Sequence, residues 1–276
     1  FARARRRAAW APARSATAAR FALEVEFRQL IPQPGSVEIA DLFAAFELGD
    51  RAGEERPYTL ANFISSADGR AAFNGRSGPL SDKADRELFH RLREQVDGVL
   101  VGTGTLRAER YGRLTKDPER RRRRVDAGRA AEPLACVVTR SGEVPLDAPL
   151  FSEPEARIVL FSPVEIDLSG CTAQIELIRI DRGELTLTTV LRRLRTDFGI
   201  RLLMCEGGPT VFGSLLHERL VDELFLTLAP KLTGGGEEPA ISTGPELMEV
   251  APLELVWALE HTGGLYLRYQ IEWPPD

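Results

Sequence analysis

The sequence has few residues that could bind a metal ion or form disulfide bonds. Only three cysteines (Cys136, Cys171 and Cys205) and three histidines occur among its 276 residues. No two cysteines form a C-x-x-C pair, and no two histidines have the spacing of metal ligands. We therefore expect reduced core cysteines, no metal site and a cytoplasmic protein.

Long apolar runs and an excess of basic residues are also absent. No apolar stretch approaches the roughly 20 residues that a membrane span needs. The net charge of −5 gives no indication of a nucleic-acid partner. Residues 1–20 differ from the rest because they contain several arginines and no acid. We interpret them as a disordered tail, with a transit peptide or translated upstream sequence as alternatives.

The remaining chain divides into a lead-in segment and one main domain. Residues 21–56 combine apolar residues with Pro32 and Pro34. We expect this segment to contain a short helix, Ile39–Phe46, and to pack on a domain formed by residues 57–276.

Residues 57–276 alternate between strand and helix patterns. Strands are predicted at 58–65, 98–101, 134–138, 157–161, 175–180, 202–206, 223–229, 254–260 and 265–272, and helices at 81–94, 186–198 and 210–219. His261-Thr-Gly-Gly is typical of a turn that joins the last two strands. The predicted fold is α/β, with three α/β/α layers, a mostly parallel mixed sheet and an antiparallel C-terminal hairpin.

Two local features of this domain allow specific predictions. Ser81 is the expected N-cap of the first helix, with Asp82 and Asp85 in its first turn. The run Arg120–Arg124 predicts a solvated loop, since like charges repel; a lid or an anion contact is the alternative.

Two glycine turns, at residues 102–105 and 207–210, each follow a strand and open a helix. Such turns bring the backbone close to a ligand and can bind a phosphate at the helix start. Neither matches G-x-G-x-x-G closely. Glu206 precedes the second turn, at the strand end where open α/β sheets bind ligands. A plain strand–helix connection remains the alternative.

Thr139-Arg140-Ser141 follows a third strand. A guanidinium beside two hydroxyls suits a phosphate monoester, such as the 2′-phosphate that distinguishes NADPH from NADH. A surface turn is the alternative. The sequence contains neither a Gly-x-Ser-x-Gly motif nor a Ser-x-x-Lys motif. A reaction whose hard chemistry belongs to a cofactor therefore fits better than hydrolysis.

Six stretches in order resemble a known family. They are Asn62–Arg70, Ser77–Arg86, Val101–Thr105, Val137–Gly142, Glu206–Thr210 and Asp222–Lys231. Over about 58–272 the chain resembles the reductase domain of riboflavin biosynthesis, which is similar in fold to dihydrofolate reductases. It is most similar to the stand-alone pyrimidine-reductase-like proteins of actinobacteria.

The resemblance implies an enzyme that reduces a phosphorylated ribosylaminopyrimidine of the 5-amino-6-(5-phosphoribosylamino)uracil type. Hydride from NADPH would go to C1′ of the ring-opened ribose. A homodimer with a small-molecule substrate is implied, without nucleic-acid or membrane partners. The cytidine-deaminase signature of bifunctional relatives is absent.

The resemblance also implies site residues. Cofactor contacts are expected from Ile64, Gly102, Thr103, Thr105, Glu109, Thr139, Arg140, Ser141, Gly207, Gly208, Pro209, Thr210 and Val211. Substrate contacts are expected from Ser77, from Arg93 through the phosphate, and from Glu206, which would accept two donors of the pyrimidine.

Three departures from the family pattern leave other functions open. Asn62 stands where many members have Lys, Glu109-Arg-Tyr where Asp-Asp/Asn-Pro is usual, and Pro79 at a tryptophan-like position. We expect Asn62 and Asp85 to act in catalysis, and Asp85 matches the carboxylate with which dihydrofolate reductases bind the pteridine. A dihydrofolate or pterin reductase is therefore one alternative, and a non-catalytic NADPH-binding regulator is another.

Overall fold

The computed structural model describes residues 25–44 and 46–274, so the predicted tail lies outside the described residues. Its strands are β1 (Glu26–Ile31), β2 (Gly35–Glu38), β3 (Tyr58–Ser66), β4 (Gly98–Gly102), β5 (Leu134–Val138), β6 (Arg157–Ser162), β7 (Gln174–Arg179), β8 (Leu202–Cys205), β9 (Glu223–Ala229), β10 (Leu253–His261) and β11 (Gly264–Ile271). Its α-helices are α1 (Ile39–Leu42), α2 (Lys83–Gln95), α3 (Thr103–Glu109), α4 (Pro118–Asp126), α5 (Leu187–Thr196) and α6 (Pro209–His217). None of these helices combines the length and the apolar character of a membrane span.

All eleven strands form one sheet, in the order β2-β1-β10-β11-β9-β3-β8-β4-β5-β6-β7. The strands from β9 to β7 are parallel, and β2, β1, β10 and β11 extend the sheet by antiparallel pairing. Helices cover both faces. The predicted fold class is therefore confirmed.

Each face of the sheet has its own apolar core. Leu88 and Leu92 of α2 belong to one core with Leu106 of α3. Leu194 of α5 and Leu215 of α6 belong to the other. The helices that follow the neighbouring strands β4 and β8 thus leave on opposite sides of the sheet. Such a reversal opens a crevice at the carboxyl ends of the strands, where α/β proteins bind ligands.

The edge of the sheet confirms one turn and adds an element that the sequence does not predict. Thr262 and Gly263 both have positive φ angles, 48° and 84°, as a two-residue hairpin turn requires. The lead-in segment forms the hairpin β1–β2, which pairs with β10, and its helix is only Ile39–Leu42. Phe27 of β1 is fully buried beside Tyr266.

The arginine run is not a solvated loop, so that prediction is wrong. It lies in α4, which is capped by Asp117 and packs beside α2. Arg120 and Arg123 contact Glu94 of α2. Arg124 is 1% exposed and donates to the carbonyls of Arg93, Glu94 and Val96. The helix end supplies carbonyl oxygens that lack intrahelical partners, and this explains why an arginine can be buried there.

Candidate functional site

A cavity of about 800 Å³ lies at the carboxyl ends of the central parallel strands. All of the predicted site residues except Arg93 and Gly207 line it. We call the part formed by residues 102–105, 139–141 and 207–211 the glycine end. The part formed by Ser77, Asp85, Glu109, Tyr111 and Glu206 is the carboxylate end.

The two glycine turns contact each other at the glycine end. A Cβ on Gly207 would lie 2.7 Å from the backbone of both Val101 and Gly102. A Cβ on Gly102 would lie 2.8 Å from Val211 Cγ2. Gly207 does not line the cavity itself, but its lack of a side chain permits the close approach of the loops after β4 and β8.

Helix α6 begins at this contact. Its N-cap residue, Gly208, has φ +57° and supplies no side-chain cap to the first turn. Further along, Gly213 lies against the loop after β9, where a Cβ would be 2.0 Å from the Thr243 carbonyl oxygen. Gly208 and the first helical residues, Pro209–Val211, line the cavity, and the free backbone N–H groups of a helix start favour an anion.

The third part of the glycine end is a tight turn after β5. Thr139 Oγ1 accepts a hydrogen bond from the Gly142 N–H and donates to the Glu143 carbonyl, while Ser141 Oγ accepts from the Glu143 N–H. Arg140 is exposed at the apex of the turn and lines the cavity. Within residues 25–44 and 46–274, its guanidinium has no hydrogen-bonded or ion-pair partner.

At the carboxylate end, Glu206 is engaged by other protein groups. Arg93 donates from Nε to Glu206 Oε1 and from Nη2 to Oε2, each at 2.6 Å. Tyr111 Oη donates to Oε2 at 2.8 Å. The third arm of Arg93, Nη1, donates to the Leu114 carbonyl at 2.7 Å, and its guanidinium lies 4.2 Å from the centroid of the Phe89 ring.

This geometry differs from what the sequence predicts for Arg93. The side chain is 9% exposed, it does not line the cavity, and its donors are directed at protein acceptors. The attraction of Glu206 raises the pKa of Arg93 despite burial, so the guanidinium stays charged. A buried arginine beside a carboxylate is held by that carboxylate, and this competes with binding a substrate phosphate.

Glu109 and Ser77 form a second polar contact at the carboxylate end. Glu109 Oε1 accepts hydrogen bonds from Ser77 N at 2.8 Å and from Ser77 Oγ at 2.9 Å. Glu109 was predicted to contact the cofactor. It lines the cavity, and it also fixes the loop before α2 to the end of α3.

Comparison with known proteins identifies the family. The chain matches the RibD C-terminal domain over residues 57–263. It belongs to this family. Similar proteins include the 2,5-diamino-6-ribosylamino-4(3H)-pyrimidinone 5′-phosphate reductases of Archaeoglobus fulgidus (29% identity, 73% of this chain and 93% of the relative) and Methanothermobacter thermautotrophicus (29%, 71% and 88%). The riboflavin biosynthesis protein RibD of Mycobacterium tuberculosis is 30% identical, and the match spans half of its length.

Solved structures confirm the reductase-domain fold. A pyrimidine reductase-like protein of Corynebacterium diphtheriae has a TM-score of 0.70 at 23% identity, covering 85% of this chain and 98% of that one. The riboflavin biosynthesis reductase Rib7 of Saccharomyces cerevisiae has a TM-score of 0.61 at 18% identity, covering 85% and 99%. The predicted dihydrofolate-reductase-like fold is thus the fold of this family.

Two residues predicted to act in catalysis lie in the cavity of this RibD C-terminal domain. Asn62 lies on β3, and Asp85 lies in the first turn of α2. Ser81 Oγ donates to Asp85 Oδ2 at 2.6 Å. Burial raises the pKa of Asp85. The N-cap of α2 is Asp82, which accepts from the Asp85 N–H, so the prediction of Ser81 as the cap is wrong by one residue.

Sequence reasoning missed several polar residues of the cavity, among them Arg86 and Tyr111. Arg86 is exposed on α2 next to Asp85, and its helical spacing alone does not indicate that it faces a ligand. Tyr111 falls in a stretch that departs from the family pattern. The substitution itself could have indicated Tyr111, because a tyrosine hydroxyl stands where the family usually has proline.

Proposed function

We propose that this chain is an NADPH-dependent reductase of a phosphorylated ribosylaminopyrimidine in riboflavin biosynthesis. The observation that carries the proposal is a single cavity with two ends. Its glycine end suits an anion, and its carboxylate end is lined with acidic side chains. Membership of the RibD C-terminal domain family supports a reductase that uses a nicotinamide cofactor. The names of the archaeal relatives support a ribosylaminopyrimidine phosphate as substrate.

The glycine end fits a dinucleotide cofactor. Gly207, Gly208 and the first turn of α6 combine backbone clearance with N–H groups at a helix start, which suits a diphosphate. Gly102, Thr103 and Thr105 line the wall beside it, and Ile64 lines the same cavity. The bound cofactor supplies a hydride, and these residues hold and orient it.

Arg140 supports NADPH over NADH. A phosphate monoester binds well to a guanidinium flanked by hydroxyls, and Arg140 lies between Thr139 and Ser141 at the rim of the cavity. No carboxylate among the described residues engages Arg140, which leaves its donors available to a 2′-phosphate.

The substrate would lie at the carboxylate end, against Asn62, Ser77 and Asp85. Asn62 can position a hydroxyl or a water at the reacting carbon, and Asp85, whose pKa is raised by burial, can hold a proton near it. Because Arg93 is engaged by Glu206, Arg86 is the guanidinium at this end of the cavity that we assign to the substrate phosphate.

The test is a steady-state assay of purified protein with NADPH and two substrates. These are 5-amino-6-(5-phosphoribosylamino)uracil and 2,5-diamino-6-ribosylamino-4(3H)-pyrimidinone 5′-phosphate. We expect NADPH oxidation with at least one of them and a ribitylamino product. Folded protein that binds NADPH but oxidises it with neither substrate contradicts the proposal. Replacement of Arg86 by Gln should raise KM for the phosphorylated substrate, and Lys83→Gln, on an exposed part of the same helix, is the control.

A pterin reductase remains a second candidate because Asp85 lines the cavity and carries a raised pKa. A carboxyl group there could bind a 2-aminopyrimidine edge. Methotrexate binding to the NADPH complex would support this function, and its failure to bind would count against it.

We also propose that the protein is a homodimer. The segment before β10 exposes Met248 (94%) and Val250 (90%), and Leu253 begins that strand partly exposed. Exposed apolar side chains clustered in one segment are typical of an interaction surface. Light scattering should give twice the chain mass, and a monomer mass would contradict the proposal.

A further inference from the structure

Glu206, the expected anchor of the pyrimidine, is largely enclosed. Its side chain is only 1% exposed although the residue borders the cavity. Its two oxygens accept two hydrogen bonds from Arg93 and one from Tyr111. A carboxylate offers about four acceptor positions, so about one is left. Glu206 therefore cannot accept two donors from a base while these partners stay in place.

Tyr111 lies beside Glu206 at the wall of the cavity. It lines the cavity and is partly exposed. Its position is fixed at three points: its carbonyl accepts from the Leu150 N–H at 2.8 Å, its ring lies 5.4 Å from the Arg93 guanidinium, and its hydroxyl binds Glu206. A side chain held in this way costs little entropy when it contacts a ligand.

The direction of the Tyr111 hydrogen bond determines what its oxygen can do. The hydroxyl donates to Glu206, because a carboxylate can only accept. Burial and the charge of Glu206 raise the pKa of Tyr111 well above its usual value, which keeps the proton on the phenol. With that proton directed at Glu206, the oxygen can act only as an acceptor towards a ligand group in the cavity that Tyr111 lines.

We propose that Tyr111 takes over from Glu206 as the direct acceptor for an N–H group of the pyrimidine base, so that Tyr111 determines base recognition in this chain. Glu206 and Arg93 then act as positioning residues that orient the Tyr111 hydroxyl. The inference rests on the proposed function, since it assumes a pyrimidine at the carboxylate end. It concerns a residue that replaces the usual proline of the family.

The proposal makes an unusual prediction for two substitutions. Tyr111→Phe keeps the ring beside Arg93 but has no polar atom, so a base N–H loses its acceptor. We expect the Kd of 5-amino-6-(5-phosphoribosylamino)uracil, measured by calorimetry without cofactor, to rise about 10-fold. Tyr111→Ala removes the ring and opens a path to Glu206, so its Kd should lie closer to that of the wild type.

Controls separate a recognition role from a structural one. Tyr269→Phe, on β11 and outside the cavity lining, should leave the Kd unchanged. Ligand binding should also perturb tyrosine absorbance in the wild type and in Tyr269→Phe, but not in Tyr111→Phe. An unchanged Kd in folded Tyr111→Phe, or a larger loss in Tyr111→Ala than in Tyr111→Phe, would overturn the inference. A wild type that neither binds nor reduces the nucleotide would overturn the proposed function itself.

Discussion

The two ends of the cavity differ in the kind of contact that shapes them. At the glycine end, the two glycine turns contact each other through backbone atoms, and the decisive feature is a missing side chain at Gly207. At the carboxylate end, side chains form the surface and bind one another before any ligand arrives, as Arg93, Glu206 and Tyr111 do. The comparison teaches that the glycine end tolerates little added volume, whereas the carboxylate end tolerates little change of charge.

The largest expected effect is on the charge balance of the carboxylate end. Replacing Arg93 with Met leaves the Glu206 carboxylate buried without its counter-ion, which typically costs about 3–5 kcal/mol of unfolding free energy. Urea denaturation would measure the loss. Arg122→Met is the control, because Arg122 forms an exposed i,i+3 pair with Glu119 on α4 and its loss should cost less than about 1 kcal/mol. Equal losses would show that the buried pair is not special.

The next prediction tests the space available at the glycine end. Gly207→Ala would put a methyl group 2.7 Å from the backbone of Val101 and Gly102, neither of which can move alone. We expect about 2 kcal/mol of destabilisation and weaker NADPH binding, because overpacking typically costs 1–3 kcal/mol. Gly104→Ala is the stability control, since a Cβ there meets no atom within 4 Å. A Gly207→Ala protein as stable as the control would refute the steric argument.

Local sequence patterns predict the elements of the glycine end better than the contacts of the carboxylate end, for a physical reason. A strand, a glycine turn and a helix start are neighbours in the chain, so local pattern identifies them. Arg93 and Glu206 are 113 residues apart, and nothing local indicates that they pair. The same limit explains why the prediction for the arginine run is wrong, because the acceptors of Arg124 lie at the end of another helix. It also explains the hairpin β1–β2, whose strands depend on pairing with distant β10.

The third prediction tests the glycine end by removing a charge, whereas the previous one adds volume. Arg140→Ala removes a guanidinium from the rim but leaves the backbone cradle unchanged. We expect NADPH affinity to fall about 10-fold or more and NADH affinity to change little, because a hydrogen bond to a charged group is worth about 1.5–3 kcal/mol. Fluorescence titration with both cofactors would measure this. Arg157→Ala, at the opposite end of the neighbouring strand, is the control. Equal loss for both cofactors would exclude Arg140 from the 2′-phosphate role.

The smallest expected effect concerns the protonation of Asp85. Because burial raises its pKa in the folded protein, the native state binds the proton more tightly than the unfolded state. Asp85 therefore lowers stability as the pH rises from its unfolded pKa of about 3.8 through the folded value, and the cost stays constant above that. Asp85→Asn lacks this slope. It should gain stability relative to the wild type as the pH rises from about 3.8 towards neutrality, and still lose turnover if Asp85 holds the catalytic proton. Urea denaturation over that pH range would measure the slope, and a parallel pH dependence in both proteins would contradict it. A variant that is more stable but less active would add to the comparison between the two ends of the cavity. It would show that the carboxylate end carries a charge, that of Asp85, which lowers the stability of the fold.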